Sequence, residues 1–503
     1  MKLQQLFSDF IHLLSPRNQM QSAFLETEVT GLFFDTQKSI KDSVFFAVPG
    51  LKNDGHQFIP QAIDKGAIAL VVENELNVPE SFSGLVYIVP SSREALDLIA
   101  AKFYEFPSDK LFCIGVTGTN GKTSITYILE HILNYNKKLT GVMGTVNHRV
   151  GDKIWDSQMT TPDPVTLQSR LNDFVQERAF AAAMEVSSHA LEQKRANSVH
   201  FNTVVFTNLT LDHLDYHKNM QNYFAAKQKL FTDLMWSSKK RPLFAVVNID
   251  DKYGRILKTA EPVIVWTYGQ NSDEADFSFK IKKMDFNETI FDLTTPLETK
   301  EIKIRIPGVH TVYNVVACLV TSLTCGLSLD QAIEALLTFN GIPGRLQKVI
   351  TSRSLKTVFV DYAHTPDALE NSLQSLRKIQ IESKSQGKLI CIFGCGGDRD
   401  KTKRSEMAKI ACLRSDYVVI TSDNPRTEVP AQIIKDIEAG IPTNYQNIKS
   451  EIDREQAIRF AIEMATEDDV ILIAGKGHED YQIIGHEKIH FSDLEVAHKY
   501  LTY

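Results

Sequence analysis

The sequence predicts an α/β protein of three domains built on mostly parallel, doubly wound sheets. Three observations lead there. At 503 residues the chain is too long for one ordinary core, so two or three domains are expected. Near-continuous apolar runs, the signature of strands buried on both faces, alternate with helical apolar spacing along the later sections. A glycine-rich turn, Gly115-Val-Thr-Gly-Thr-Asn-Gly-Lys-Thr-Ser124, stands between one such run and a helix, the context a phosphate-cradling loop needs.

Residues 1–105 form a small first section. Its opening, MKLQQLFSDFIHLL, alternates apolar with polar or charged residues and lacks a small-residue cleavage site, so no signal peptide is expected. Short strands are expected over 43–48 and 67–72, punctuated by Gly50, Gly55 and Gly66. A helix over 93–103 leads into a link over 105–109. The second section, 106–340, opens with a strand over 111–114, the glycine-rich loop and a helix over 125–133. Further strands are expected over 180–186, 203–207 and 243–248. The turn Gly341-Ile-Pro-Gly-Arg345 reads as a hinge. Beyond it, 341–503 restarts the alternation in a Rossmann-like section, with strands over 358–361, 389–393, 417–421 and 470–474. Polar residues Asp361, Asp423 and Lys476 follow these strands, and open α/β sheets bind ligands beyond their strands' carboxyl ends.

Composition narrows the function. The apolar fraction of 43% and charged fraction of 23% are those of a soluble globular protein. A net charge of −7, without a basic run interleaved with aromatics, argues against nucleic-acid binding. No apolar run reaches membrane-spanning length. The cysteines at 113, 318, 325, 391, 395 and 412 lack metal-type pairing and read as reduced thiols of a cytoplasmic protein.

In the loop, glycines let successive N–H groups turn toward phosphate oxygens at the positive end of the following helix. Lys122 can reach the β- and γ-phosphates, and the Thr123 hydroxyl can ligate Mg²⁺. The spacing departs from the common pattern, with Val116 where a glycine is usual and glycines at 115, 118 and 121. The run Met184-Glu-Val-Ser-Ser-His189 places a carboxylate and an imidazole at a strand's end. Glu185 reads either as a Mg²⁺ ligand or as a buried, paired carboxylate; His189 alone reads as structural. Asp212, His213, Asp215 and His217 crowd into six positions of Thr207-Asn-Leu-Thr-Leu-Asp-His-Leu-Asp-Tyr-His217. Their chemistry allows a transition metal, and the neighbouring phosphate loop favours Mg²⁺.

Later segments extend the pattern: Asp361-Tyr-Ala-His-Thr-Pro-Asp367, Phe393-Gly-Cys-Gly-Gly-Asp-Arg-Asp400, Asp423-Asn-Pro-Arg426 and Ala474-Gly-Lys-Gly-His-Glu-Asp480. With those above, they resemble segments of the Mur ligase family of ATP-dependent peptide-bond-forming enzymes. The resemblance runs through almost the whole chain and is weakest in the first section. It implies that ATP activates the γ-carboxylate of UDP-N-acetylmuramoyl-L-alanyl-D-glutamate as an acyl phosphate, which meso-diaminopimelate then attacks. The reaction would belong to peptidoglycan synthesis in the cytoplasm, and a monomeric enzyme with no nucleic-acid partner and no membrane insertion is expected.

The resemblance also implies roles. Gly118, Thr119, Asn120, Gly121, Lys122, Thr123 and Ser124 would bind ATP phosphates. Asn314, in Gly308-Val-His-Thr-Val-Tyr-Asn314, would lie near adenine, and Arg345 and Asp361 near phosphate and ribose. Glu185, His213 and Lys227 would join Thr123 around Mg²⁺, Lys227 as the carbamylated lysine of the family. Asp35, Thr36, Thr160, Thr161, Ser187, Gln193 and Arg195 would meet the UDP-muramoyl dipeptide, the first section holding its UDP end. Arg426 would pair with the distal carboxylate of diaminopimelate, with Arg399, Asp423, Asn424, Pro425, Gly475 and Glu479 completing that pocket. Taken singly, Arg399 also reads as a surface ion-pair member.

The chain departs from the family at Thr36-Gln37, where Ser-Arg is usual, and at Met159 and Thr311, where asparagine is common. His189, His213 and Asp215 are all candidates for the base that deprotonates the incoming amine. Alternatives are the same chemistry with L-lysine or another diamino acid, a folylpolyglutamate synthetase, a nucleotide-regulated scaffold without turnover, and a P-loop kinase.

Overall fold

The computed structural model describes residues 1–15, 25–38, 40–50, 53–339 and 341–502; the section boundary expected at residue 340 lies outside them. The chain divides into two compact units, Met1–Gly269 with Ala317–Ala332 and Gln270–Val316 with Ile333–Tyr503.

The first unit holds two sheets. One has four parallel strands in the order Leu32–Phe33, Ser43–Phe46, Ala67–Val72 and Leu85–Ile88. All six positions of Ala67–Val72 are buried, which explains its uninterrupted apolar run. The helix Ser92–Phe103 starts where the Ser91 hydroxyl accepts from Glu94 N–H at 3.3 Å. Its Ala95, Leu96, Ile99 and Ala100 form one apolar stripe in the core of this sheet.

In the other sheet, Val263–Gln270, Leu243–Asn248, Thr203–Phe206, Phe112–Thr117, Ala181–Glu185 and Thr140–Met143 lie side by side in parallel. An antiparallel pair, Asn147–Val150 and Lys153–Asp156, follows Thr140–Met143. The strand feeding the glycine-rich loop is thus internal. Its register sets Thr117 beside Phe206 and Val116 beside Glu185. Three chemically active segments therefore leave the sheet at one edge.

The pair also buries His148, which is 2% exposed with no hydrogen-bond partner on either ring nitrogen among the described residues. Burial, and then Arg170, push its pKa down from 6.5 to about 4, while Asp163 opposes. The unfolded chain protonates this ring below pH 6.5 and the folded chain does not, so its contribution is lost as pH falls from 6.5 to 4. The loss amounts to roughly 3 kcal/mol. Asp97, raised to about 7 by burial, acts in the opposite sense over the same range. The comparison is therefore between parent and variant: His148→Leu should lose less stability on acidification, by roughly 3 kcal/mol in urea titrations at the two pH values. Equal acid slopes would contradict this.

The second unit centres on a six-stranded sheet ordered Gln347–Lys348, Thr357–Asp361, Val470–Ala474, Leu389–Phe393, Tyr417–Thr421 and Ile448–Glu451, parallel except for its first strand. Helices cover both faces. Leu369, Leu373, Leu376 and Ile379 of the helix Pro366–Glu382 fill one core, and Ala457, Ile458, Ala461 and Ile462 of Arg454–Met464 fill the other. The strands expected over 389–393, 417–421 and 470–474 form with those bounds.

This unit also contains an antiparallel meander, Phe277–Met284, Thr289–Thr294 and Thr299–Ile304, which the apolar-run criterion passed over. These strands are half exposed, so lysines and acids alternate with the inward residues Phe279, Phe291, Leu293 and Ile302. The α/β class with mostly parallel sheets holds.

Candidate functional site

The strand Phe112–Thr117 turns through Gly118, at φ +148°, and Gly121, at φ +92°, into the helix Lys122–Tyr135. The helix starts three residues earlier than apolar spacing alone marks, because its first turn is polar. Asn208 braces the loop: its carbonyl accepts Thr119 N–H at 2.9 Å and its side-chain oxygen accepts Asn120 N–H at 3.0 Å. The Thr207 hydroxyl donates to Asn120 O at 2.6 Å. A Cβ on Gly118 would stand 1.9 Å from that hydroxyl oxygen. Gly118→Ala should therefore weaken ATP binding at least tenfold and lower stability by roughly 1–3 kcal/mol, measured by nucleotide titration and urea unfolding. Wild-type affinity would refute this geometry.

Inside the loop, Lys122 Nζ donates to the carbonyls of Gly118 at 2.9 Å and Thr119 at 2.8 Å. The Thr123 hydroxyl donates to Glu185 Oε1 at 2.9 Å. Glu185 is 1% exposed and also accepts Thr145 N–H at 3.0 Å and the Thr145 hydroxyl at 3.1 Å. It is thus a buried, satisfied carboxylate in contact with the loop threonine, so both readings of it meet in one place. Gly144 leaves room for it, since a Cβ there would lie 2.2 Å from Glu185 Oε1. Neither Gly144 nor Thr145 was singled out from sequence; only their proximity to Glu185 marks them.

Lys227, on the helix Met220–Gln228, reaches the same carbonyl of Gly118 at 2.8 Å and is 1% exposed. Burial, then Lys122, hold its pKa well below the ordinary lysine value, with Asp212 opposing. His213 takes a left-handed backbone, φ +54°, and its N–H donates to Asp212 Oδ1 at 2.8 Å. Its ring meets that of His189 edge-on at 4.8 Å, and His189 also packs on Tyr216 at 4.3 Å. His217 Nε2 pairs with the Ser188 hydroxyl at 2.9 Å. Burial, with neighbouring His213 and His217, pushes His189 down to about 4. Among the described residues no hydrogen bond joins His213 to Glu185, and no three His, Cys, Asp or Glu form a metal-holding group.

Nearby, the Thr161 hydroxyl donates to Glu185 O at 2.8 Å and accepts Ser187 N–H at 3.0 Å, and Thr160 and Thr145 hydroxyls lie 3.0 Å apart. Arg195 donates to Thr161 O at 3.0 Å and to Gln193 Oε1 at 3.0 Å. Thr160, Thr161, Ser187, Gln193 and Arg195 therefore form, with Thr145, one network leading to Glu185. In the four-stranded part, Asp35 accepts Gln37 N–H at 2.9 Å and the Thr36 hydroxyl donates to Gln61 Oε1 at 3.1 Å.

In the second unit, buried Asp361 accepts Leu346 N–H at 2.6 Å, Ala363 N–H at 2.9 Å and the Ser372 hydroxyl at 3.1 Å. Burial raises its pKa, with Arg345 opposing. Asn314 is half-buried on the helix Val309–Thr324. The strands Tyr417–Thr421 and Val470–Ala474 end in facing loops. Asn424 donates to Glu479 Oε2 at 2.9 Å, and Arg426, at φ +51°, donates to Gly397 O at 2.9 Å. A Cβ on Gly475 would lie 2.8 Å from Asp423 Oδ2, and one on Gly397 would lie 1.9 Å from Pro425 O, so both glycines admit close backbone approach. Arg399 is exposed and, among the described residues, donates only a long 3.4 Å bond to Asp398 O.

Sequence reasoning also missed Arg454. It is fully buried and paired with Asp493 at 2.7 Å, and it donates to Ser422 O at 3.2 Å and Ala474 O at 3.0 Å. It ties the two strand ends together from below. A charge in a helix's first turn gives no sequence signal of such burial.

A glycine-rich loop entering a helix from an internal parallel strand, with a hydroxyl–carboxylate pair beneath it, defines a nucleotide-binding α/β protein. Residues 28–104 match the Mur ligase family catalytic domain, 116–322 the Mur ligase middle domain and 344–477 the Mur ligase glutamate ligase domain. The chain is 42% identical over 482 residues to the UDP-N-acetylmuramoyl-L-alanyl-D-glutamate–2,6-diaminopimelate ligase of Clostridioides difficile, covering 95% of this chain and 96% of that protein. It is 40% identical over 505 residues to a ligase of the same name, numbered 1, from Clostridium acetobutylicum, covering 100% and 99%. A solved structure of a ligase of that name superposes with a TM-score of 0.70 at 29% identity, covering 100% of this chain and 98% of that one. The chain belongs to the Mur ligase family.

Proposed function

We propose that this protein is the ATP-dependent ligase that joins meso-2,6-diaminopimelate to UDP-N-acetylmuramoyl-L-alanyl-D-glutamate in peptidoglycan synthesis. The observation that carries this reading is end-to-end similarity to ligases of that name in a chain whose Arg426, Asn424 and Glu479 converge at two strand ends. Residues 1–105 would bind the UDP end, 106–340 the ATP and 341–503 the amino acid. A cytoplasmic monomer fits the composition, and no described helix is long and apolar enough to cross a membrane.

The γ-carboxylate of the dipeptide attacks the γ-phosphorus of ATP, and the bond to the bridging oxygen breaks to release ADP. Two anions must meet, so positioning and neutralisation dominate the barrier. Lys122 supplies positive charge at the phosphates, and the backbone from Gly118 to Ser124 supplies donors. Asn314, Arg345 and Asp361 would orient adenine, phosphate and ribose. Thr160, Thr161, Ser187, Gln193 and Arg195 would hold the dipeptide, with Asp35 and Thr36 on its nucleotide. The amine of diaminopimelate, once deprotonated from its ammonium form, adds to the acyl carbon; the tetrahedral adduct loses a second proton from nitrogen and expels phosphate to leave the amide.

The Thr123–Glu185 pair, all oxygen and beside the loop, suits Mg²⁺ rather than a transition metal. Thr123, Glu185, His213 and Lys227 would hold it, and it would supply further positive charge against the phosphates. Lys227 as a cation would repel it; addition of CO₂ to its neutral amine, with loss of a proton, makes a carbamate oxygen ligand. Buried placement, with no hydrogen-bonded carboxylate among the described residues, supports that modification.

The test is phosphate release and peptide extension with UDP-N-acetylmuramoyl-dipeptide, ATP, Mg²⁺ and meso-diaminopimelate. L-Lysine, and folate with glutamate, serve as alternative arms. Turnover requiring both the dipeptide and diaminopimelate is expected. ATP cleavage without an acceptor, or an unextended peptide, would overturn the reading.

A further inference from the structure

Lys476 follows the strand Val470–Ala474 and is 0% exposed, yet none of the roles above uses it. Its ammonium lies 3.1 Å from Asn424 Oδ1, 3.3 Å from Glu479 Oε2 and 3.7 Å from Asp423 Oδ1. Two carboxylates therefore share one buried cation. Arg426, whose Nη1 lies 3.4 Å from Asn424 O, adds a second positive charge to the same strand ends. Arg454 beneath is matched by its own partner, Asp493. The four charged groups at these strand ends, Asp423, Glu479, Lys476 and Arg426, sum to zero; among the described residues Arg399, exposed and donating to Asp398 O, pairs with none of them.

We propose that Lys476 is a specificity-determining residue, setting the pocket's charge so that it accepts an amino acid whose distal end is itself neutral overall. This rests on the functional reading above. The distal end of meso-diaminopimelate carries an ammonium and a carboxylate and sums to zero. That of L-lysine carries an ammonium alone. With Lys476 in place, a lone distal ammonium meets a pocket with no net charge to balance it and leaves Arg426 without an anion. Without the Lys476 charge, Asp423 and Glu479 outweigh Arg426 by one, and the pocket comes to suit a cationic end. Charge discrimination of this kind is effective because Lys476 and Asp423 are buried.

The experiment measures kcat/KM for meso-diaminopimelate and for L-lysine on the same preparations of the parent, Lys476→Met, Lys476→Gln and Lys476→Arg. The ratio of the two is the readout, since a loss of folded enzyme lowers both alike and leaves it unchanged. The ratio should fall at least tenfold in both neutral variants and stay within threefold of the parent in Lys476→Arg. An unchanged ratio in the neutral variants, or an equal fall in Lys476→Arg, would overturn the proposal.

A measurement on the parent needs no variant to fold. 2-Aminopimelate, whose distal end is a carboxylate alone, should be used at least tenfold less well than meso-diaminopimelate. Equal use would overturn the charge balance. A parent enzyme that turns over neither diamino acid would instead defeat the functional reading, and this proposal with it.

Discussion

Lys122→Ala should lower kcat by about a thousandfold, with the KM for diaminopimelate little changed. The ammonium is held over the loop by two carbonyls, at 2.9 and 2.8 Å, so it is positioned before any phosphate arrives. In the attack of a carboxylate on ATP, negative charge accumulates on the transferring phosphoryl group, and preorganised positive charge there acts mainly in the transition state. Alanine removes that charge while leaving the helix, whose later turns bury Ile125, Ile128, Leu129 and Ile132. Single-turnover acyl-phosphate formation, trapped with hydroxylamine, separates this effect from amide formation. A loss confined to the second step would place Lys122 elsewhere in the mechanism.

Arg426→Ala should raise the KM for meso-diaminopimelate by about 10- to 100-fold while the KM for ATP moves less than twofold. The guanidinium is aimed by the Gly397 carbonyl at 2.9 Å and by a left-handed backbone at φ +51°. A forked donor matches a carboxylate with two parallel bonds, each charge-assisted. Arg426→Lys should recover only part of the loss, because an ammonium keeps the charge and loses the fork. Equal changes in both KM values would show that Arg426 supports the fold rather than the substrate.

Many strands of the three mostly parallel sheets were legible because burial on two faces makes them continuous apolar runs, as in Ala67–Val72, Leu389–Phe393 and Val470–Ala474; shorter or more exposed ones, such as Leu85–Ile88 and Val263–Gln270, were passed over. The meander Phe277–Ile304 escaped because half-exposed strands alternate lysines and acids with apolar residues. The glycine-rich loop announced itself, since its backbone must adopt conformations that only glycine reaches without strain. The residues bracing it did not. Asn208 and Thr145 are ordinary polar residues of loops, and their roles come from what stands beside them. Arg454, Arg404 and Asp493 carry charges and are fully buried, contrary to composition-based expectation, because each is paired: Arg454 and Asp493 with one another inside, and Arg404 with the partly exposed Glu428 and Asp436.

The sequence by itself determined the α/β class, the place of the phosphate loop and the residue types available for chemistry, since periodicity and glycine placement act locally. Which of those residues touch was decided only in three dimensions. Parallel pairing sets Val116 beside Glu185, and with them Thr123 and Thr145, residues dozens of positions apart that meet on one carboxylate. Likewise, the neighbouring ends of separate strands gather Asp423, Lys476 and Glu479 into one charge cluster. Electrostatic interaction depends on separation and burial, and neither distance nor desolvation is written in the order of residues along a chain.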